Sequence, residues 1–338
     1  MSEEESALLE SARRGDQTAF STLVQPYRPV LHVHCYQMLG SLHDADDAVQ
    51  DTLLRAWRGL SGFQGRSSLR TWLCQIATNA SLKLIQKRPR RLLPIDYVGA
   101  DAAPERGAEP QVEATWLEPY PDEILRVEDG FAAPDARYEQ RESIELAFVA
   151  AVHHLTPRQR AVLILRDVLG FSAQEVANSL ETTLGSVNSA LHRARRTTAE
   201  RVQGESQQAT LRALGDDRQR QIVERYMTAW EHGDMQALVD MLTEDARWSM
   251  PPQARWYRNV EEIVGFLKDV LREDWRHVPA RANGQLAVAC YMRHVTKRMY
   301  VATVLDVLTL RGDRIREVTS FITPEVFARF GLPAELPA

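Results

Sequence analysis

A proline-rich acidic segment at residues 91–140 divides this chain of 338 residues. It holds six prolines, and its 4 basic and 12 acidic residues give it a local net charge of −8. No helical or strand period persists through it, and each proline removes a backbone donor. The segment therefore predicts a linker between separately folded parts, as the length of the chain also favours.

The charge of this segment dominates the whole chain. The net charge is −5, which taken alone argues against a protein that binds nucleic acid. Removing the −8 of the linker leaves +3 for the remainder, and basic residues gather near residues 83–90 and 193–196. The total thus hides two locally basic blocks, one on each side of the linker.

Both blocks that flank the linker have helical apolar spacing. Residues 5–90 predict an all-helical domain, with one amphipathic helix over 44–58 and another over 68–87. Residues 141–203 are helical again, and Thr156 is placed to cap a helix that starts there. The N-terminus is acidic and amphipathic, the reverse of a signal peptide, which predicts a cytoplasmic protein without a membrane span.

The sequence from 172 to 196 predicts a helix-turn-helix. Ala177 is small enough for the crossing of two helices, and Val187 supplies the apolar position of the second helix. Short polar groups near its start can reach base edges, and the arginines behind them can hold phosphate. Glu181 stands where many such turns have glycine, so a helical hairpin with a solvated basic end remains the alternative. The exposed face of the second helix is Ser186, Asn188, Ser189, His192, Arg193, Arg195 and Arg196.

The apolar spacing changes from about residue 216. Three helices are predicted first, followed by three runs rich in β-branched residues and separated by Asn-Gly and Gly-Asp turns. Helices followed by antiparallel strands predict a third domain of α+β class. The strand-like runs are 284–293, 299–310 and 314–322.

The two helical blocks together resemble the sigma-70 family of RNA polymerase factors, in its extracytoplasmic-function (ECF) class. DADDAVQDTLLRAWR (44–58) and SSLRTWLCQIATN (67–79) look like region 2. LTPRQRAVLILRDVLGFSAQEVA and GSVNSALHRARR, within 155–196, look like region 4. Two such blocks in order are far more specific than either one alone, and the acidic linker stands where housekeeping factors have region 3.

The resemblance implies a factor that binds core RNA polymerase and promoter DNA and starts transcription, with no cofactor or metal. Region 2 would bind the β′ clamp through its 44–58 helix and recognise the minus-ten element, and region 4 would contact the β flap and read the minus-thirty-five element. The implied polymerase-binding residues are Asp44, Asp47, Asp51, Leu54, Arg55 and Trp57. The implied DNA-binding residues are Arg66, Arg70, Asn79, Lys83, Lys87 and Arg88, then Ser186, Asn188, Ser189, His192, Arg193 and Arg196.

Residues 216–332 resemble a SnoaL-like domain of the NTF2-like fold, a curved sheet wrapped by helices around a conical pocket. WYRN (256–259) and LDVLTLRGDRI are the recognisable pieces. Asp306 would be an interior carboxylate of the kind that enzymes of this fold use, or would pair with an arginine such as Arg293. The candidate pocket residues, which a packed core would equally explain, are Trp230, Trp248, Trp256, Tyr257, Tyr291, Asp306 and Phe321.

The combination matches the subgroup of ECF factors, known in mycobacteria, that carry a C-terminal SnoaL-like extension. We expect a non-enzymatic sigma factor whose third domain packs on the sigma domains and regulates them. The alternatives are a one-component ligand-responsive DNA-binding regulator, or a SnoaL-type isomerase or cyclase with a DNA-binding appendage. The linker sequence WLEPYPD (116–122) predicts docking on polymerase or on the third domain. The predicted domains are 1–90, the linker 91–140, 141–203, the linker 204–215, and 216–338.

Overall fold

The computed structural model describes residues 3–88, 91–94, 115–125, 141–202, 204–253, 255–296 and 298–338. The chain divides into two compact units. Unit 1 consists of Met1–Arg90, Ile124–Ala133 and Ala147–Val202. Unit 2 consists of Arg91–Glu123, Pro134–Leu146 and Gln203–Ala338, so the described parts of the predicted linker belong mostly to the same unit as the third domain.

Five helices form the first part of unit 1, and their starts follow from local capping. Ser41 caps α4 by accepting a hydrogen bond from the N–H of Asp44, and Ser68 caps α5 through the N–H of Thr71. The predicted helices over 44–58 and 68–87 are confirmed to within two residues at each end. The helices are α1 (Glu3–Arg13), α2 (Gln17–Val24), α3 (Arg28–Leu39), α4 (Leu42–Gly59) and α5 (Leu69–Ile85).

Four further helices are described in unit 1, and the last two of them form the predicted helix-turn-helix. Thr156 and Gln159 form a capping box at the start of α7, as expected, and α7 continues into a π-helical turn over Ile164–Val168. Glu181 adopts a left-handed φ of 48° in the turn between α8 and α9, a conformation that usually favours glycine. The helices are α6 (Leu146–His153), α7 (Pro157–Leu163), α8 (Ala173–Ser179) and α9 (Leu184–Arg201).

Arg160 joins the two helical blocks inside unit 1. The side chain is only 4% exposed, and it donates to the carbonyl oxygens of Val152 at 3.0 Å and His153 at 3.2 Å, at the end of α6. It also donates to the carbonyl oxygen of Met38, near the end of α3. Because the C-terminal end of a helix is partly negative, a buried guanidinium is stabilised between these two helix ends.

Unit 2 is an α+β domain, which confirms the predicted fold class. Gly215, at a φ of 70° and ψ of 165°, interrupts α10 and bends it into two segments. The helices are α10 (Gln207–Glu231), α11 (Met235–Asp240) and α12 (Val260–Val270). The strands are β1 (Arg91–Leu92), β2 (Thr115–Trp116), β3 (Leu242–Ser249), β4 (Trp256–Tyr257), β5 (Trp275–Ala282), β6 (Gln285–Arg293), β7 (Met299–Arg311), β8 (Arg314–Phe321) and β9 (Glu335–Pro337).

The large sheet has the order β4-β3-β8-β7-β6-β5, with β9 added beside β7. Its β3–β8 pair is parallel and the other pairs are antiparallel, so the expectation of an all-antiparallel sheet is wrong. Strands β3, β4, β5 and β9 of this sheet were not predicted from the sequence. Strand β5 carries Pro279, which reads as a break but is tolerated because β5 is at the edge of the sheet.

Candidate functional site

The outer face of α4 is a half-exposed acidic surface around one apolar side chain. Leu54 is 47% exposed, and Asp51 pairs beside it with Arg55 at 2.8 Å. The Trp57 ring packs edge-on against the Phe20 ring, with ring centroids 5.1 Å apart. A single exposed leucine is ordinary on a protein surface, so Leu54 is accessible to a partner but does not by itself identify one.

Asp44 has a different place from the other residues predicted on α4. Its side chain is buried at the start of the helix, where it pairs with Arg88. Arg88 also approaches Asp47 at 4.0 Å. One residue predicted to bind polymerase and one predicted to bind DNA are therefore bonded to each other, and the pair ties the end of the α5 segment to the start of α4.

The residues of region 2 predicted to bind DNA are all exposed. Asn79, Lys83 and Lys87 follow each other at intervals of four, along and just beyond α5, and so lie on one helical stripe. Arg70 donates from Nη1 to the carbonyl oxygen of Leu169 at 3.4 Å, inside unit 1. Arg66 lies in the exposed loop before α5. The arrangement offers a polar, positively charged stripe of the type that holds a nucleic-acid backbone.

The second helix of the helix-turn-helix separates an apolar and a polar face. Val187, Leu191 and Ala194 are buried, and Thr183 caps the helix through the N–H of Ser186. Arg195 makes two hydrogen bonds to Asp167, of 2.8 and 2.7 Å. The exposed face contains the residues predicted to bind DNA there, Ser186, Asn188, Ser189, His192, Arg193 and Arg196.

Asp306 lies at the centre of a buried hydrogen-bond network in unit 2. It accepts from Tyr226 Oη at 2.9 Å and Ser320 Oγ at 2.5 Å, and from Cys290 Sγ at 3.4 Å. Trp248 Nε1 donates in turn to Ser320 Oγ at 2.8 Å. Burial raises the pKa of Asp306 above its usual range, against the lowering effect of these donors. Both carboxylate oxygens are thus occupied by the protein's own groups.

The expected alternative partner of Asp306 is not found. Arg293 pairs with Asp274 at 2.9 Å on the surface, so the pairing with Asp306 is wrong. Asp306 lies on the inner side of the sheet, whereas Arg293 is the exposed last residue of β6.

The predicted pocket residues divide between different surroundings. Trp230 and Trp248 lie in the same apolar cluster, with ring centroids 6.1 Å apart, and Tyr257 stacks beside it on Phe266. Tyr291 instead contacts Phe327, and its hydroxyl donates to the carbonyl oxygen of Pro333 at 3.0 Å. Because neighbours along a strand point to opposite faces, Tyr291 and Phe321 lie opposite Cys290 and Ser320, which contact Asp306. Trp256 pairs in β4 with Ser249.

A surface depression along α10 contains none of these residues. Its lining is Gln221, Glu224, Arg225, Thr228, Ala229, His232, Asp234 and Ala237. Within the described ranges, no group of three or more His, Cys, Asp or Glu side chains is arranged to hold a metal ion. None of the helices in those ranges has the length and apolar character that crossing a membrane requires.

The turn between β5 and β6 binds the linker, a role that its Asn-Gly sequence did not reveal. Asn283 is fully buried, with a φ of 55°. It exchanges two hydrogen bonds with Tyr120, from the Tyr120 N–H to Oδ1 and from its own N–H to the Tyr120 carbonyl, each 2.8 Å long. Its Nδ2 donates to the carbonyl oxygen of Ile144 at 2.8 Å. One side chain therefore holds residues from both sides of the segment 126–140, which lies outside the described residues.

Further contacts extend this docking on each side of the turn. The N–H of Gly284 donates to Asp122 Oδ1 at 2.7 Å, and Gln285 Oε1 accepts from the N–H of Leu146 at 3.0 Å. Leu117 and Tyr120 of the WLEPYPD segment are buried. The expected docking of this segment on the third domain is therefore present within unit 2, whereas a contact with polymerase remains a prediction.

Two glutamates dock at the start of α10. Ser206, the cap of this helix, donates to Glu142 Oε1 at 2.7 Å, and the N–H of Gln208 donates to Glu145 Oε1 at 2.8 Å. Burial, followed by the neighbouring charge of Glu142, raises the pKa of Glu145, and the hydrogen bonds lower it only partly, leaving it at about 7. A group that titrates near neutrality therefore holds the segment that leads into α6.

Comparison with known proteins identifies the regions that these elements form. The Sigma-70 region 2 family matches residues 23–91, the Sigma-70 region 4 family matches 145–197, and the SnoaL-like domain family matches 223–318. The chain belongs to the ECF sigma factors of the sigma-70 family, with a C-terminal SnoaL-like domain. It is an RNA polymerase sigma factor, a transcription initiation factor that binds core polymerase and promoter DNA.

Individual relatives agree with this membership. The chain is 43% identical over 336 residues to the ECF RNA polymerase sigma factor SigG of Mycobacterium tuberculosis, covering 96% of this chain and 86% of that protein. It is 29% identical over 189 residues to SigW of Bacillus subtilis, covering 55% of this chain and 90% of SigW. The crystal structure of Mycobacterium tuberculosis SigJ has a TM-score of 0.56 at 20% identity, with 91% of this chain and 97% of that chain covered, and shares the fold.

Proposed function

We propose that the SnoaL-like domain regulates this sigma factor by holding the linker between regions 2 and 4. The observation that carries the proposal is the position of Asn283, bonded to Tyr120 within the acidic segment and to Ile144 just after it. While both bonds are made, Tyr120 and Ile144 are held at the same turn of the third domain. A linker held in this way cannot extend fully between the two DNA-binding regions.

The linker is the element whose extension promoter binding demands. The minus-ten and minus-thirty-five elements are separated by about 25 base pairs, or roughly 85 Å at 3.4 Å per base pair. Regions 2 and 4 meet in unit 1 through Arg160, so they must separate to reach both elements. Release of the linker from the third domain would permit that separation, and in this proposal the third domain makes the intramolecular contact that restrains the sigma regions.

We further assign roles to the surfaces of unit 1. The α4 face around Leu54 binds the β′ clamp, the Asn79–Lys83–Lys87 stripe holds minus-ten DNA, and the exposed face of α9 reads the minus-thirty-five element, with region 4 near the β flap. Exposure of Leu54 and of the polar face of α9 supports these roles. A factor with these partners works where chromosome and polymerase are, in the cytoplasm.

We infer no catalysis in the third domain. A catalytic carboxylate must reach a substrate, whereas Asp306 is 2% exposed and both of its oxygens accept hydrogen bonds from protein side chains. The same network speaks against the isomerase alternative. The likeness to SigG across both sigma regions favours a sigma factor over a one-component regulator.

The regulatory proposal is tested by transcription with core polymerase from a cognate promoter. Asn283→Ala in the full chain is expected to raise transcript yield several-fold, because it removes the side-chain bonds to Tyr120 and Ile144 together and leaves only the backbone bond to Tyr120. Asp313→Asn is the matched control, since Asp313 lies in the β7–β8 turn of the same sheet and pairs with Arg218 at 2.8 Å. Equal yields from the wild type and both variants, with binding to core polymerase unchanged, would overturn the proposal.

A further inference from the structure

Asp167 forms an ion pair with Arg195 of α9, the second helix of the helix-turn-helix. Asp167 lies in the π-helical turn that follows α7, and both of its oxygens accept from Arg195, Oδ2 from Nε at 2.8 Å and Oδ1 from Nη2 at 2.7 Å. A two-point guanidinium–carboxylate pair is the geometry in which such an interaction is strongest. The Asp167 hydrogen bonds raise the pKa of Arg195, so the charged form of the pair is favoured.

The chain departs from α-helical geometry in the π-helical turn over Ile164–Val168. The N–H of Leu169 bonds to the carbonyl of Ile164 at 2.9 Å, five residues back, and the N–H of Phe171 bonds to that of Leu165. Gly170, with a φ of 73°, allows the chain to reverse there. Turns of this kind are rare and occur often at functional positions.

The other cations at this end of α9 are less involved in ion pairs with described residues. Arg193 is exposed, and no described acidic side chain lies within ion-pair distance of it. Arg196 approaches Glu200 at 3.9 Å, with both side chains 67% exposed, a contact of little strength. In the Arg195–Asp167 pair the side chains are 59% and 30% exposed, so this pair is somewhat less screened by solvent than that of Arg196.

We propose that Asp167 attenuates the affinity of region 4 for DNA by withholding Arg195 from the phosphate backbone. The inference rests on the proposed placement of α9 on the promoter. A duplex phosphate and the Asp167 carboxylate compete for the same guanidinium fork, and the carboxylate is already aligned with it. The helix then contributes base contacts from its short polar residues while its general attraction to DNA stays weak, which favours selectivity over affinity.

The test measures binding of the full chain to a short fluorescein-labelled DNA duplex of arbitrary sequence, by anisotropy across a range of salt concentrations. Asp167→Asn is expected to bind about three- to fivefold more tightly at low salt, with a salt slope steeper by about 0.9, the value of one added phosphate contact. Arg195→Ala alone is expected to leave both quantities unchanged. The double variant D167N/R195A is expected to return to wild-type affinity.

Arg193→Ala serves as the matched control, because Arg193 is exposed on the same helix. It is expected to weaken binding and to make the slope shallower by about 0.9. If R193A has no effect, the placement of α9 on DNA fails. If R193A behaves as expected but D167N binds no more tightly, or R195A alone weakens binding as R193A does, the role of Asp167 is overturned and the placement stands. A structural defect in D167N, checked by thermal unfolding, would lower affinity rather than raise it.

Discussion

Asn283 and Tyr120, which are 163 residues apart in the chain, hold each other through two hydrogen bonds of 2.8 Å. The backbone N–H of Tyr120 donates to the Asn283 side chain, and the backbone N–H of Asn283 donates to the Tyr120 carbonyl oxygen. The pair therefore resembles a hydrogen-bonded pair of a β-ladder in which a side-chain oxygen replaces one backbone carbonyl. The Asn283 side chain also bonds Ile144, which makes the β5–β6 turn the point where the linker and the residues just after it are held together.

Replacing Asn283 by alanine is expected to destabilise unit 2 by about 2–3 kcal/mol. The change leaves the buried N–H of Tyr120 and the carbonyl of Ile144 without their partner, and the left-handed φ suits alanine poorly. Asn283→Gly separates these effects, because glycine accepts the φ but loses the side chain. Amide hydrogen exchange at Tyr120 is the measurement. Undiminished protection of Tyr120 in N283A would contradict the expectation.

The stability of unit 2 is expected to fall as pH rises from about 4.5 to about 7. The pKa of Glu145 is raised to about 7 from 4.5, so the folded state holds this proton more tightly than the unfolded state. Stabilisation is therefore fully present below pH 4.5 and is lost through pH 7, with an upper bound of about 3 kcal/mol.

Denaturant midpoints of the full chain between pH 5 and 8 measure this effect. Glu145→Gln keeps the acceptor for the Gln208 N–H but cannot ionise, so it is expected to flatten the pH profile and to stabilise the protein at pH 8. Glu142→Gln is the control on the same segment. An unchanged slope in E145Q would show that another group carries the pH dependence.

Arg160→Met is expected to destabilise unit 1 by about 3 kcal/mol. It removes donors from three helix-end carbonyls that are packed away from water, and methionine fills the space without replacing any of them. Arg158→Met changes an exposed arginine in the first turn of the same helix, which donates only one long bond of 3.3 Å to the carbonyl of Leu180, and is expected to change stability by less than about 1 kcal/mol. Urea unfolding followed by circular dichroism compares the two, and equal losses would argue against the buried link.

Leu54→Asp tests the α4 surface. Because Leu54 is 47% exposed, the substitution is expected to leave the fold intact while weakening binding to core polymerase at least about tenfold, as loss of an apolar anchor does in other interfaces. Gln50→Asp adds the same charge one turn earlier, on an exposed residue, and is expected to have a smaller effect. Retention of wild-type affinity by L54D would place the polymerase contact elsewhere.

The helices of unit 1 could be predicted because their signals are local. The side chains of Ser41, Ser68 and Thr156 each cap a helix by accepting from the N–H three residues further on. Apolar spacing predicts the buried face of each helix. Strand β3 was missed because LTEDARWS carries charges at most of its exposed positions, and β5 because of Pro279. Tertiary pairing overrode these local signals.

The composition of the third-domain interior was harder to predict than its fold. Asp306 and Trp248, two of the predicted pocket residues, share Ser320, but Tyr291 and Phe321 follow inward-facing residues directly and so point to the other side. Asn283 carried a clear turn signal, and nothing local indicated that Tyr120 and Ile144 would bond to it. Contacts between residues more than a hundred positions apart could not be predicted from the apolar spacing or the local charge of either segment.

The burial of Leu117 and Tyr120 also bears on how such a chain can change over generations. A gene that lost its last third would remove Asn283 and Gly284 and leave the buried amide of Tyr120 and the carboxylate of Asp122 without these partners. A linker of this sequence therefore depends on the C-terminal domain, and we expect the fusion to be difficult to reverse by deletion alone.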